Sequence, residues 1–125
     1  MDAVPGLEKL VSAVKSKAES GYINLCDGRR CAVDGSHKAL NYLLQGSASC
    51  LAKRWLLINY ENTHELCCSQ LAFVHDELQF ECSPEHVEPL RTSLVRSAEL
   101  AGQYYNLRIA IAAEAQVGHN WAEVH

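Results

Sequence analysis

Leu71-Ala72-Phe73-Val74-His75-Asp76-Glu77-Leu78-Gln79-Phe80-Glu81-Cys82 is the stretch that decides the fold. An apolar run ends at Val74, and a period-two alternation runs from Leu78 to Cys82. Only His75-Asp76-Glu77 lies between them, so the spacing predicts two strands pairing around a tight turn with Asp76 at or beside its tip. A carboxylate there projects away from the core while its backbone is fixed on both sides. That suits a ligand for a hard divalent ion such as magnesium, which wants oxygen donors at a defined position. Val74-His75-Asp76-Glu77 taken alone also has a plain reading, because Asp is common in turns, where its side chain caps turn amides.

Helices flank this hairpin. Leu7, Leu10, Val11, Val14 and Ala18 recur at helical spacing, and predict a helix from Pro5 to Ser20, with Pro5 in its first turn and Gly21 as its stop. A second is predicted from His37 to Glu61, with Leu40, Leu43, Leu44, Ala48, Leu51, Ala52, Trp55 and Ile58 as its apolar stripe. A third opens at Ser83-Pro84, a capping residue followed by a first-turn proline, and presents Val87, Leu90, Leu94, Ala98 and Ala101. Upstream, Tyr22–Leu25 and Arg30–Val33 flank Asp27-Gly28, a strong hairpin signal. Downstream, Leu107–Glu114 alternates and predicts a further strand, with Leu107, Ile109, Ile111 and Ala113 on one side. The fold class expected is α+β, a small antiparallel sheet with the two long helices covering its apolar face.

Composition narrows the function. The chain has 125 residues, 48% of them hydrophobic and 21% charged, as in an ordinary globular protein of one domain. No apolar run approaches the roughly 20 residues that cross a bilayer, and Met1-Asp2-Ala3-Val4-Pro5 has neither the basic nor the apolar part of a signal peptide. A cytosolic location is expected, and with it reduced thiols at Cys26, Cys31, Cys50, Cys67, Cys68 and Cys82. His64-x-x-Cys67-Cys68 offers three zinc ligands, but a fourth at finger-like spacing is missing. The formal net charge of −4 argues against gripping nucleic acid by bulk charge alone. Local basic character remains at Arg29, Arg30, His37, Lys38, Lys53 and Arg54.

Several motifs follow one another in order. Gly21-Tyr22-Ile23 and Asp27-Gly28-Arg29-Arg30 come first, then Ala39-Leu40-Asn41-Tyr42-Leu43-Leu44-Gln45-Gly46-Ser47-Ala48, then Val74-His75-Asp76-Glu77, and last Gly118-His119-Asn120-Trp121-Ala122-Glu123-Val124-His125. Their order and spacing resemble the last portion of family A DNA polymerases, of the polymerase I and podovirus type, over nearly the whole chain. Asn41-Tyr42-Leu43-Leu44-Gln45 departs from the bacterial N-x-P-x-Q form and favours a phage-type relative. The resemblance implies that residues 1–125 form one C-terminal portion of the palm, with His75-Asp76-Glu77 as its motif C hairpin. It implies that Asp76 and Glu77 bind catalytic magnesium or manganese and that His75 lies near the primer terminus. It further implies that Asn41 and Gln45 face the minor-groove edge of primer–template DNA, that His37 points to the same DNA, that Arg29 and Arg30 lie near its backbone, and that His125 folds back towards the palm. The cytosol would be that of the host cell if the chain is phage-encoded.

Parts of that site have no counterpart here. Two-metal nucleotidyl transfer clamps both the attacking and the leaving oxygen, and the family does this with a second aspartate, on the motif A strand. Neither motif A nor the fingers helix that holds the deoxynucleotide triphosphate is found, and the likeness begins just after the fingers. Activity would then need self-association, or a partner chain carrying those parts. The motif A strand would otherwise lie beside the motif C hairpin, and its absence leaves a strand edge open to another chain. Two functions fit these expectations. One is a reduced or split DNA polymerase acting in replication or repair. The other is an inactive palm that binds DNA or docks onto a polymerase.

Overall fold

The computed structural model describes residues 4–124. His125, expected to fold back, lies outside them. Contacts divide the chain into two compact units, one up to Cys50 and the other from Leu51 onwards. Among the described residues there are three α-helices and two separate two-stranded antiparallel sheets. The α+β expectation holds, with the strands split between two sheets. No described helix is long and apolar enough to cross a membrane.

The first unit begins with α1 (Leu7–Ala18), shorter at both ends than the predicted Pro5–Ser20. Gly21 adopts a left-handed φ of 83° and donates its N–H to the Ala18 carbonyl, which ends the helical turn. Strand β1 (Tyr22–Asn24) then pairs with β2 (Arg30–Ala32), with Ile23 opposite Cys31. Ile23 is only 2% exposed and packs with Val14, Ala18 and Ala39, which form the core of this unit. A 3-10 turn (Ser36–Lys38) leads into α2 (Ala39–Thr63). The β1–β2 turn is fastened to α2 by the Cys26 N–H, which donates to Ser47 Oγ at 3.1 Å. Leu25 lies so close to α2 that a Cβ on Gly46 would stand 2.7 Å from its Cδ2.

In the second unit the rest of α2 packs against α3 (Val87–Tyr104), which a 3-10 turn at Pro84–His86 introduces. Trp55 Nε1 donates to the Leu94 carbonyl at 2.7 Å. Asn59 is 2% exposed, and its Oδ1 accepts from Ser93 Oγ at 2.9 Å. Leu90, Ser97, Ala98, Ala101 and Gly102 form the buried stripe of α3. The expected hairpin is present as β3 (Cys68–Val74) and β4 (Glu77–Cys82). A bulge at Leu71 interrupts the ladder, since Gln70 faces Phe80 and Ala72 faces Gln79.

Four expectations are corrected. Leu44 is 57% exposed and Ala48 is exposed too, so neither belongs to the buried stripe of α2. They share a helical face with Asn41 and Gln45, which are exposed as well. The helices leave part of the β3–β4 hairpin uncovered, since Leu71, Phe73 and Val74 are exposed. Leu107–Glu114 is not a strand. It keeps its alternation of partly buried and exposed positions from Ile111 to Ala115, but alternation encodes only a flank laid against protein, and a strand also needs a ladder partner. Finally, Cys68 and Cys82 form a disulfide rather than two free thiols. The Ser83 N–H donates to the Cys67 carbonyl, so the pair just inside is non-hydrogen-bonded, the kind that brings side chains closest. Their Cα atoms are 4.1 Å apart. The Leu71 bulge sets this match, because an unbroken register would place Ser69 opposite Cys82.

Candidate functional site

His75 and Asp76 alone make the turn between β3 and β4, and Glu77 already belongs to β4, opposite Val74. His75 has φ 55°, a left-handed conformation in which glycine is the usual residue. Two-residue hairpins need such a φ to match the twist of their strands. Holding an imidazole-bearing residue there costs backbone energy, a feature that accumulates where side-chain placement matters. The result is an exposed Asp76 on a backbone pinned on both sides, beside a partly buried Glu77.

These two carboxylates are the acidic part of the site. Among the described residues no three His, Cys, Asp or Glu side chains come together as a metal cage. Cys68 is tied to Cys82, which removes it from the set with His64 and Cys67. Magnesium is typically held by one or two carboxylates, with waters and substrate phosphates completing its octahedron. Asp76 and Glu77 fit that usage and do not fit an all-protein site.

The remaining candidate residues lie in the first unit. Arg29 sits at the end of the β1–β2 turn, where its Nε donates to Asp27 Oδ2 at 2.6 Å and its N–H donates to Oδ1 at 3.1 Å. Partial burial works against ionising Asp27, but the Arg29 N–H and guanidinium, with the Cys50 thiol, outweigh it and hold the carboxyl below its usual 3.8. Burial first, and Asp27 second, push the Cys50 thiol up. The Arg29 guanidinium is thus anchored at the turn while its side chain stays 61% exposed.

Arg30 is exposed, and its guanidinium lies over the Tyr22 ring at 4.5 Å. Lys17 Nζ lies 4.4 Å from the centre of the same ring and donates to Tyr22 Oη at 3.3 Å. One tyrosine therefore gathers two cations. Lys17 carries no signal in the sequence, since the left-handed turn at Gly21 is what brings α1 back beside β1. His37 is exposed, with its ring against Gly35. Its neighbour Lys38 is bound to Asp34 at 2.8 Å, which holds that carboxyl below its ordinary value. Asn41 and Gln45 are exposed one turn apart on α2, with Leu44 between them. The first unit thus displays cations and amides, and the second displays the carboxylates.

Comparisons with known proteins agree on one family. The profile of DNA polymerase family A matches residues 4–123. A DNA-directed DNA polymerase of Escherichia phage Phieco32 is 28% identical over 97% of this chain, which spans 21% of that protein. The DNA-directed DNA polymerase of Escherichia phage T7 is 30% identical over 83% of this chain, which spans 16% of it. Among solved structures, the POL domain of Pol1 from M. smegmatis, in complex with DNA primer-template and dNTP, superposes with a TM-score of 0.85 at 26% identity. That match covers 96% of this chain and 24% of the other. The chain therefore spans about a fifth of the length of the curated relatives it matches.

Proposed function

The chain belongs to DNA polymerase family A, and from that premise we propose that it is the C-terminal palm portion of a DNA-directed DNA polymerase, which binds primer–template DNA and contributes to nucleotidyl transfer in replication or repair. In this reading residues 1–125 work as one portion of the palm. The observation that carries the proposal is the β3–β4 turn, where a left-handed His75 sets an exposed Asp76 beside Glu77. The solved relative in complex with primer–template and dNTP supports the choice of ligands.

Each residue then has a physical task. Asp76 and Glu77 hold magnesium or manganese by carboxylate oxygens, and His75 fixes the turn beside the primer end. When bound, the ion would supply charge stabilisation to the transferring phosphoryl group. Arg29 and Arg30 contact backbone phosphates, with Arg29 aimed by Asp27. Asn41 and Gln45 donate to minor-groove acceptors, which are alike in every correct base pair, so they test pairing geometry without reading sequence. His37 adds a polar contact to the same duplex. A second aspartate and a triphosphate-holding helix would complete the two-metal clamp around these residues.

Primer extension with magnesium tests the proposal, using the wild type and Asp76→Ala, with any partner chain that copurifies. Incorporation that needs magnesium and disappears in Asp76→Ala is the expected result. Incorporation that survives Asp76→Ala refutes it. DNA binding that depends on Arg29, Arg30 and Gln45 without any incorporation moves the assignment to an inactive DNA-binding or docking module.

A further inference from the structure

The turn between β1 and β2 is closed on itself. The Leu25 N–H donates to the Arg29 carbonyl at 3.0 Å, and the Gly28 N–H donates to the Leu25 carbonyl at 2.9 Å. Gly28 supplies the left-handed φ of 83° that lets the chain reverse. One stripe of α2 receives this turn. Leu43, Gly46, Ser47 and Cys50 follow at the i, i+3, i+4 and i+7 spacing of a single helical face, and all four are partly or fully buried. Gly46 leaves room for Leu25, as the 2.7 Å approach of a Cβ there to Leu25 Cδ2 shows. Ser47 takes the next residue twice. Its Oγ accepts the Cys26 N–H at 3.1 Å, and its carbonyl accepts the Cys26 thiol at 3.6 Å. Cys50, 5% exposed, meets the third, its thiol donating to the Asp27 carboxylate. Burial keeps that sulfur a thiol, and so a donor. Three consecutive turn residues are thus matched by three positions on α2.

Asp27 passes this placement on to Arg29. Its Oδ1 accepts the Arg29 N–H and its Oδ2 accepts Nε, so one carboxylate fixes both the backbone and the guanidinium of one residue. Asp27 is 16% exposed where the Arg29 side chain is 61% exposed. An ion pair on the surface is worth little when two loose side chains must be ordered to make it. Here the carboxylate is held from behind by a buried donor on a helix. The opposite face of α2 carries the exposed Asn41 and Gln45. One helix therefore sets where the amides stand and where the Arg29 turn stands.

We propose that Ser47 and Cys50 are positioning residues for DNA binding, which hold the β1–β2 turn on α2 through Cys26 and Asp27 and so set Arg29 at a fixed offset from Asn41 and Gln45. This deepens the proposed function and rests on the phosphate contact given there to Arg29. Phosphate contacts fix the orientation of a protein on a duplex, so a fixed offset brings the amides to the groove in one register. The ordering of Arg29 is completed on folding, and binding does not have to bear it.

Two measurements on the purified protein test this, with Ser47→Ala, Cys50→Ala, the conservative Cys50→Ser, and each alanine change combined with Arg29→Ala. The first needs no DNA. The Arg29 Nε–H resonance, assigned by its loss in Arg29→Ala, is expected to exchange with solvent at least ~3-fold faster in either alanine variant and at close to the wild-type rate in Cys50→Ser, which keeps a donor. The second is fluorescence anisotropy with a labelled primer–template duplex. Each alanine variant is expected to lose roughly 3- to 10-fold in affinity, the cost of ordering one long side chain on binding, and Cys50→Ser to regain it. In the Arg29→Ala background the same alanine changes are expected to cost no more than ~2-fold, because they act through the guanidinium that is gone. A general loosening of the fold would lower affinity equally in both backgrounds, and that result overturns the proposal. So does an Arg29 exchange rate indifferent to both alanine changes, or a Cys50→Ser variant as defective as Cys50→Ala. Should Arg29→Ala bind DNA as tightly as the wild type, the phosphate contact of the proposed function fails and takes the DNA role of Ser47 and Cys50 with it, whereas unchanged exchange rates beside an intact Arg29 effect sink this inference alone.

Discussion

Gly102→Ala puts a methyl group into the contact that seats the C-terminal segment on α3. The new Cβ would lie 2.8 Å from Ile111 Cγ1, 3.4 Å from its Cβ and 3.6 Å from its backbone nitrogen. Two effects compete. Alanine in place of glycine within a helix is worth about 1 kcal/mol in favour of folding. Overpacking a tight contact costs about 1–3 kcal/mol. Ile111 sits at the upper end of that range, because a β-branched side chain is stiff at χ1 and its own Cβ and backbone are part of the crowding. The net expectation is a loss of about 1–2 kcal/mol. With a slope of about 2 kcal/mol per molar urea, the unfolding midpoint should fall by roughly 0.5–1 M. Trp55 and Trp121 are the only tryptophans and both lie in the second unit, so their fluorescence follows the part that changes. In an Ile111→Ala background the 2.8 Å approach to Cγ1 is gone and only the 3.4 Å and 3.6 Å approaches to Cβ and nitrogen remain, near ordinary contact, so the same glycine-to-alanine change should instead stabilise by up to about 1 kcal/mol, a coupling of about 1–3 kcal/mol across the cycle. Should Gly102→Ala raise the midpoint in the wild-type background, Ile111 is not seated on α3 and the contact is wrong.

The same substitution one turn apart on α3 should act with opposite sign. Ser93→Ala strips the donor from Asn59 Oδ1, buried at 2% exposure, and should cost about 1–2 kcal/mol, whereas Ser97→Ala removes a hydroxyl that is buried without a partner and should stabilise by up to about 1 kcal/mol, both read from urea midpoints. At the hairpin turn, His75→Gly should stay within about 1 kcal/mol of wild type, while His75→Val, which forces a β-branched residue to a left-handed φ, should lose about 1–2 kcal/mol. Asp27 has a carboxyl held below 3.8, so its contribution to stability is present above that pH and is lost as pH falls through the lower folded value. Asp27→Asn should therefore be less stable than wild type at pH 7 and converge with it in strong acid, and a gap that widens on acidification would contradict this. Lys17→Ala and Arg30→Ala should each weaken DNA binding regardless of sequence and lower the slope of log affinity against log salt by roughly 1 if each meets one phosphate, as measured by fluorescence anisotropy.

Local chemistry written in consecutive residues was legible without coordinates. The turn at His75-Asp76, the β1–β2 hairpin at Asp27-Gly28, the stop at Gly21 and the proline-led start of α3 all appear within a few residues of their predicted places. Turns, caps and alternation arise from contacts between near neighbours, so the sequence contains both partners of each contact. The hairpin presents Asp76 for the same reason.

Only the tertiary structure decided the rest, because those features depend on a partner distant in sequence. An α2 stripe counted at helical spacing cannot show that Leu44 and Ala48 turn away from the core, since the pattern does not reveal where the neighbouring elements stop. Alternation in Leu107–Glu114 reported a flank laid on α3 and was silent about whether another strand lies alongside. Lys17 and Arg30 meet on one ring only after two turns have reversed the chain. One extra residue at Leu71 shifts the register and brings Cys68, rather than Ser69, opposite Cys82. A single-residue offset of this kind changes few local preferences and every cross-strand contact beyond it, so packing fixes it rather than composition.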